Sequence, residues 1–210
     1  MAEFRTAGIV LKKQNFGEAD RILRIFSQEF GLISVLAKGV KKTKSRKSGS
    51  LELFSEANLR LHRKSGELFL LTEISPISTF QSQDLVKLQA AFAASELILN
   101  LAPIEKPLPR IYQIFQNFLK VLPQTEKTQI IKIAFYAKIL SILGFFGVNE
   151  KWEIRTKKFF RFLLENDFDQ ILKLENDSKI LNSAEKLLLE IFENSAEKIS
   201  RVQSSTQDWD

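Results

Sequence analysis

The chain contains no cysteine. Disulfides, cysteine nucleophiles and thiolate zinc sites are therefore excluded, and the composition suits a reducing cytoplasm. Histidine is nearly as scarce, with His62 alone. One imidazole without a second ligand makes a poor metal site, so a histidine lying near phosphates is the simpler reading. The opening residues, Met1 to Arg5, lack the basic flank and apolar stretch of a secretory signal. Long hydrophobic runs are missing as well. The most apolar segment, residues 133–148, is interrupted by Lys138 and is too short for a membrane span. A Gly-x-x-x-x-Gly-Lys phosphate loop, a Gly-x-Ser-x-Gly elbow and any histidine-based dyad are also absent. Catalysis is not indicated, and no cofactor is expected.

What is present is a positive charge with an address. The 210 residues allow one large domain or two small ones. The net charge is +6, and residues 1–80 hold 14 Lys/Arg against 8 Asp/Glu. Residues 81–210 hold 17 of each sign, so the whole excess lies in the N-terminal part. A localised positive field attracts polyanions, either nucleic acid or an anionic membrane surface.

The N-terminal part reads as strands. Ala7 to Lys12, Arg21 to Ser27 and Leu32 to Val40 are separated by turn signals at residues 17–20 and 29–31. Ile33, Val35 and Ala37 alternate with Ser34, Leu36 and Lys38, which places the two sets on opposite faces. Residues 41–50 are basic, Ser-rich and free of apolar side chains, so they read as a loop. Leu51 to Lys64 is a long strand or a bent pair, and residues 64–67 close a hairpin into Leu68 to Ile74. Five short strands in about eighty residues suggest a small barrel.

After Pro76 the period changes. Leu85 to Leu101 reads as a helix with Asp84 as its cap. Ile111, Ile114, Phe115, Phe118, Leu119 and Leu122 trace an amphipathic helix that ends at Pro123. Ile130 to Phe146 is apolar on nearly every face, as expected of a central buried helix. Residues 151–175 are helical but less regular, Ser183 to Ile199 is a final amphipathic helix, and Val202 onward is a frayed polar tail. The expected class is α+β, an N-terminal barrel followed by an all-helical domain, with divisions at 1–80, 81–202 and 203–210.

The densest cationic cluster is Lys38, Lys41, Lys42, Lys44, Arg46 and Lys47, six charges in ten residues. Such a loop can wrap around a phosphate backbone and release counterions. The alternative for a charge run is a solvated surface. Arg60, His62 and Lys64 add a same-face row on the fourth strand. Phe4, Phe16, Phe30 and Phe54 are the aromatics available to stack on bases, although most phenylalanines here are expected in the core. Asp167 and Asp169 read as a helix start or turn before they read as metal ligands. Glu96, set in an apolar helix, is expected to be buried and paired with a cation.

The order of several segments now resembles a known family. Ala7-Gly-Ile-Val-Leu11, Gly17-Glu-Ala-Asp-Arg-Ile22, Phe30-Gly31, Ala37-Lys-Gly39, Lys44-Ser-Arg46 and Leu51-Glu-Leu-Phe54 resemble the N-terminal domain of the bacterial recombination mediator RecO. Ala94-Ser-Glu-Leu97 and residues 135–140, followed by Leu143-Gly-Phe145, are similar to that family's helical domain. The resemblance implies an OB-fold barrel followed by helices, and binding of single- and double-stranded DNA. It also implies strand annealing, and work with RecR to load RecA onto DNA coated by single-stranded-DNA-binding protein. Residue by residue it carries over DNA contacts at Lys38, Lys41, Lys42, Lys44 and Arg46. Arg21 falls in the matched turn motif, as a DNA contact or a structural residue. Many relatives bear a four-cysteine zinc module after the Leu-Gly-aromatic element. Here residues 147–152 stand in that place without cysteine, so the chain resembles a short form of the family and no metal is expected.

The resulting expectation is a non-enzymatic DNA-binding mediator of recombinational repair, cytoplasmic and nucleoid-associated, with no membrane partner. Its partners would be RecR and the acidic, apolar-ended tail of the single-stranded-DNA-binding protein. Arg110, Lys132 and Lys138 are candidates for a basic rim that receives the tail. Three rivals remain: an RNA-binding OB module, a metal-dependent nuclease using Asp167, Asp169 and Glu96, and a scaffold that the basic loop merely solubilises.

Overall fold

The computed structural model of the chain describes residues 2–40, 51–63, 68–175 and 177–207. Its contacts form two compact units. One holds the residues up to Gln83 together with Ala102–Leu119, and the other holds Asp84–Leu101 together with the residues from Lys120 onward.

The first unit is built on β1 (Ala2–Phe16), β2 (Asp20–Ser27), β3 (Gly31–Ala37), β4 (Glu56–Arg63) and β5 (Leu68–Ser78). They close into a barrel in the order β1-β2-β3-β5-β4. β3 and β5 run parallel, and the other neighbours run antiparallel. Closure of this kind removes the exposed edge that an open sheet would present. β1 is long enough to serve two partners, pairing with β4 over residues 2–9 and with β2 over residues 8–16. The changeover falls at Gly8, where a Cβ would lie 2.6 Å from Ile25 Cγ2 and 3.0 Å from Leu59 Cδ1. A bulge between Val10 and Lys12 then adds the local twist that bends the strand around the barrel.

Alternation along the strands fills the interior. Leu23 and Ile25, Ile33 and Val35, Leu59 and Leu61, and Phe69 and Leu71 all belong to one buried cluster. Two strand boundaries differ from those expected. Residues 51–54 form a turn in which Phe54 has φ 64°, and β4 starts only at Glu56. Hydrogen bonds from Phe54 N to Val10 O (2.8 Å) and from Val10 N to Ser55 O (3.1 Å) tie this turn to β1. β5 continues through Pro76 to Ser78, at an exposed end where a missing N–H is tolerated.

Six helices follow among the described residues: α1 (Leu85–Leu101), α2 (Pro109–Val121), α3 (Thr128–Ile142), α4 (Ile154–Glu165), α5 (Phe168–Ile171) and α6 (Ser178–Gln207). The segment leading into α2 packs on the barrel. Ile104 makes a parallel bridge with Leu32, and Glu105 N donates to Leu32 O at 3.1 Å. The approach is close enough that a Cβ at Gly31, whose φ is +67°, would sit 2.0 Å from Lys106 O. Proline at the first position of α2 removes an N–H that would otherwise be unsatisfied.

In the second unit α3 is the central helix, as its sequence predicts. It packs against α1, α4, α5 and α6, and ten of its fifteen residues are buried. Two polar groups drawn into the packing find backbone acceptors. Tyr136 Oη donates to Ala93 O (3.1 Å), and Lys127 Nζ donates to the carbonyls of Leu172 and Leu174 (2.8 Å each) at the end of α5. α3 stops at Ile142, short of Phe146, because Phe145 N and Phe146 N both turn back to Leu140 O. Around residues 147–152 an aromatic cluster closes the packing, with Phe160 5.0 Å from Phe146 and 5.4 Å from Trp152 between ring centroids. α6 is longer than expected at both ends, since Asp177 caps it and its backbone stays helical to Gln207. Asp208 to Asp210 lie outside the described residues. No helix among the described residues is long and apolar enough to cross a membrane.

Candidate nucleic-acid interface

The β1–β2 hairpin sets one end of the barrel. Its register pairs Asn15 with Arg21 and Phe16 with Asp20 around a turn at residues 17–19. Asp20 Oδ1 accepts from Gly39 N at 2.8 Å, which fastens the turn after β3 to the hairpin. The exposed Lys38 is thereby held beside the hairpin tip. Arg21 pairs with Ala37 across β2 and β3 and comes to the same end. It alternates with Leu23 and Ile25, however, so it belongs to the inward row and is half-buried. Lys41, Lys42, Lys44, Arg46 and Lys47, which follow Val40 in sequence, lie outside the described residues, as does Lys64.

The outward row of the same sheet carries cations that sequence reasoning passed over. Lys12 pairs with Arg24, and Arg24 pairs with Ser34. Arg24 Nη1 donates to Ser34 Oγ at 2.7 Å, which holds the guanidinium along the surface. The signal was available in β2, where Arg24 falls between the inward residues Leu23 and Ile25. The aromatics separate in the same way. Phe4, Phe30 and Phe69 pack against one another with centroids 5.5 to 5.9 Å apart. Phe54 is buried against Phe80 at 5.6 Å. Phe16, at the hairpin tip, is 51% exposed.

The row on β4 comes with its own counterions. Arg60 Nε lies 3.4 Å from Glu3 Oε1, and Arg60 Nη1 donates to Glu73 Oε1 at 2.9 Å. His62 Nε2 is 3.5 Å from Glu3 Oε2, and Arg5 Nε is 3.6 Å from Glu3 Oε1. Arg5, Arg60 and Glu73 border a groove of about 340 Å³ over β1, β4 and β5. The register explains the pairing, since Glu3 stands opposite His62 and Glu73 stands opposite Arg60. Nothing local in the sequence ties residues 3, 60 and 73 together. Next along β4, Arg63 makes a two-pronged pair with Glu105 (2.9 and 3.0 Å) and lies 5.0 Å over the Phe69 ring.

One buried carboxylate anchors the barrel to α2. Glu56 is 4% exposed, and its Oε1 accepts from Tyr112 Oη and Gln116 Nε2, both at 2.7 Å. Burial pushes the Tyr112 hydroxyl well above the ordinary tyrosine range, and the hydrogen bond to Glu56 and its charge push it further.

The candidates on the helices fall in varied settings. Arg110 is exposed on the first turn of α2. Lys132 is ion-paired with Glu185, and Lys138 Nζ donates to Leu164 O at 3.1 Å. Lys132 and Glu185 border a small apolar depression formed with Tyr136, Leu188 and Leu189. Burial alone would raise the Glu185 carboxyl. Hydrogen bonds from Lys132 and Gln129, with the Lys132 charge, outweigh it and hold the group below its usual range. Glu96 corrects an expectation: it is exposed, because the buried face of α1 runs through Ala90, Ala91, Ala94, Leu97 and Ile98. Asp167 caps α5 by accepting from Gln170 N at 2.9 Å, and Asp169 lies exposed in that helix's first turn. Among the described residues no three His, Cys, Asp or Glu side chains are grouped so as to hold a metal ion.

Comparison with known proteins agrees with this architecture. Residues 1–80 match the profile of the recombination protein O N-terminal region, and residues 82–146 match that of its C-terminal region. The chain is 34% identical over 145 residues to the DNA repair protein RecO of Dehalococcoides mccartyi, covering 68% of this chain and 57% of that protein. It is 32% identical over 149 residues to the DNA repair protein RecO of Acetivibrio thermocellus, covering 69% and 59%. With the RecO of Gloeothece citriformis it shares 34% over 148 residues, covering 67% and 51%. The matched part thus spans a little over half the length of these relatives. Two successive family profiles fall on the barrel and on the helices that follow it, in the family's order, and the chain belongs to the recombination protein O family, RecO.

Proposed function

We propose that this chain is a DNA-binding recombination mediator in DNA repair that holds DNA by its phosphates on the N-terminal barrel. The carrying observation is the confinement of the whole +6 net charge to residues 1–80, whose described strands close into the barrel, with Lys41, Lys42, Lys44, Arg46 and Lys47 outside the described residues. Lys38 stands exposed three residues before Lys41 in the chain, and Lys12 and Arg24 lie on the adjoining outward row. The loop cations Lys41, Lys42, Lys44, Arg46 and Lys47 supply most of the phosphate contacts. Arg60 and His62 contribute after exchanging Glu3 and Glu73 for phosphate, and Arg21 serves mainly to build the barrel end. Two strands brought into one basic field repel each other less, so annealing requires no catalytic residue. Residues 81–202 carry the protein partners. RecR assists loading of RecA onto single-stranded DNA, and the acidic tail of the single-stranded-DNA-binding protein is received at a basic rim including Arg110, Lys132 or Lys138. The work is done in the cytoplasm, on the nucleoid.

The test is annealing of complementary strands precoated with single-stranded-DNA-binding protein, with and without this chain. Acceleration that disappears when Lys41, Lys42, Lys44, Arg46 and Lys47 are replaced by Ala is expected. No acceleration by the unmutated chain would overturn the mediator reading, and a marked preference for matched RNA over DNA oligomers would favour an RNA-binding role.

A further inference from the structure

The outward face of β1, β2 and β3 is not uniformly polar. Ile22 and Leu36 are partners at its centre and only half-buried, with Gln14 opposite Ile22. Lys12 and Arg24 frame this apolar strip on one side. On the other side stand Lys38 and the half-exposed ring of Phe16. Lys12 and Phe16 are four residues apart on β1, about 13 Å at strand rise. The far side is fixed in place, since Asp20, the partner of Phe16, bonds Gly39 N next to Lys38. A large aromatic ring half-exposed at a hairpin tip is costly to leave in water, and beside it stand Asp20, its partner, and Glu18 in the turn. The ring gains by stacking on another π face.

We propose that Phe16 is the stacking platform for an unpaired base, and that with Lys12, Arg24 and Lys38 holding the flanking phosphates it makes the barrel select single-stranded over duplex DNA. The inference rests on the DNA-binding reading and adds strand selectivity to it. In a duplex the bases are already stacked on their neighbours and only the phosphates are offered, so Phe16 adds nothing to that complex. In a single strand a base is free to turn onto the ring. Charge alone does not make this distinction, because both forms carry phosphates.

The experiment compares the full chain with its Phe16→Ala and Phe16→Trp variants on a single-stranded oligomer and on its duplex at one fixed salt concentration. The exposure of Phe16 allows all three to fold alike, which circular dichroism verifies. Phe16→Ala is expected to weaken single-strand binding roughly 5- to 150-fold, the range of one lost stacked base. Duplex affinity and the salt dependence of both complexes should stay unchanged. Phe16→Trp should restore the selectivity, and its indole fluorescence should be quenched by the single strand and not by the duplex. Equal losses on the two DNA forms, or no loss on either, would overturn the inference while leaving the DNA-binding reading intact. Failure of the unmutated chain to bind either form would remove both.

Discussion

Replacing Tyr112 by Phe removes one hydroxyl from the point where α2 is fastened to the barrel. The ring keeps its place, since its contact with Phe26 (5.8 Å between centroids) needs no oxygen. What is lost is a 2.7 Å hydrogen bond to the buried Glu56. A hydrogen bond to a charged acceptor is worth about 1.5–3 kcal/mol net. Gln116 Nε2 still donates to the same oxygen at 2.7 Å, and Ser78 Oγ lies 3.4 Å from the other, so the carboxylate is not orphaned. The cost should therefore fall toward the lower end, about 1.5–2 kcal/mol. Urea unfolding of the full chain near neutral pH, followed by circular dichroism, measures it. pH supplies an independent check. Folding raises the Tyr112 pKa, so the folded state favours the protonated phenol. Its contribution is complete below the ordinary tyrosine value of about 10 and is lost as the solution becomes more alkaline. The gap between wild type and Tyr112→Phe should then narrow above that pH. A loss within the ±0.5 kcal/mol typical of surface changes, with no narrowing, would refute the anchoring role assigned to Glu56 and Tyr112.

Other perturbations test other parts of the account. Glu3→Gln combined with Glu73→Gln strips Arg60 of its counterions, and should tighten DNA binding and steepen the log–log salt dependence by about 0.7 for one added phosphate contact on a single strand. An unchanged slope would show that the β4 row does not touch DNA. Gly31→Ala forces a Cβ toward Lys106 O at a φ of +67° and should cost at least about 2 kcal/mol in the same urea assay. Full stability of that variant would contradict the tight seating of residues 104–106. Folding lowers the Glu185 pKa, so its pairing with Lys132 stabilises above the usual carboxylate value of about 4.5 and is lost as pH falls through the folded-state value. A Lys132→Gln variant should accordingly lose less stability than wild type on acidification, and an identical acid limb would remove the pair from the account.

Much of the fold was legible because it repeats along the chain. Leu23 and Ile25, Ile33 and Val35, and Leu59 and Leu61 alternate strictly, and that alternation fixes which face closes on the core. The helical period of residues 111–122 and the all-round apolarity of α3 were equally local signals. What escaped depends on contacts between distant residues. The long β1 reads as a short strand because its first half gains meaning only from pairing with β4. The packing of residues 102–119 on the barrel depends on Ile104, Glu105 and Tyr112 meeting Leu32 and Glu56. On β4, local reading singled out Arg60 and His62 as candidates but not their partners Glu3 and Glu73, whose proximity is set by cross-strand register. It also grouped four phenylalanines that the fold separates, burying Phe54, packing Phe4 and Phe30, and leaving Phe16 at the surface.

The central claim is that the N-terminal barrel binds DNA through phosphates gripped by its localised cations. Its most direct test is the affinity of the full chain for a single-stranded oligomer across a salt series, beside the variant with Lys41, Lys42, Lys44, Arg46 and Lys47 changed to Ala. The variant loses about five phosphate contacts, so its fall of log K with log salt should be shallower than wild type's by about 3.5, and it should bind weakly. Equal slopes and affinities for the two proteins would contradict the claim.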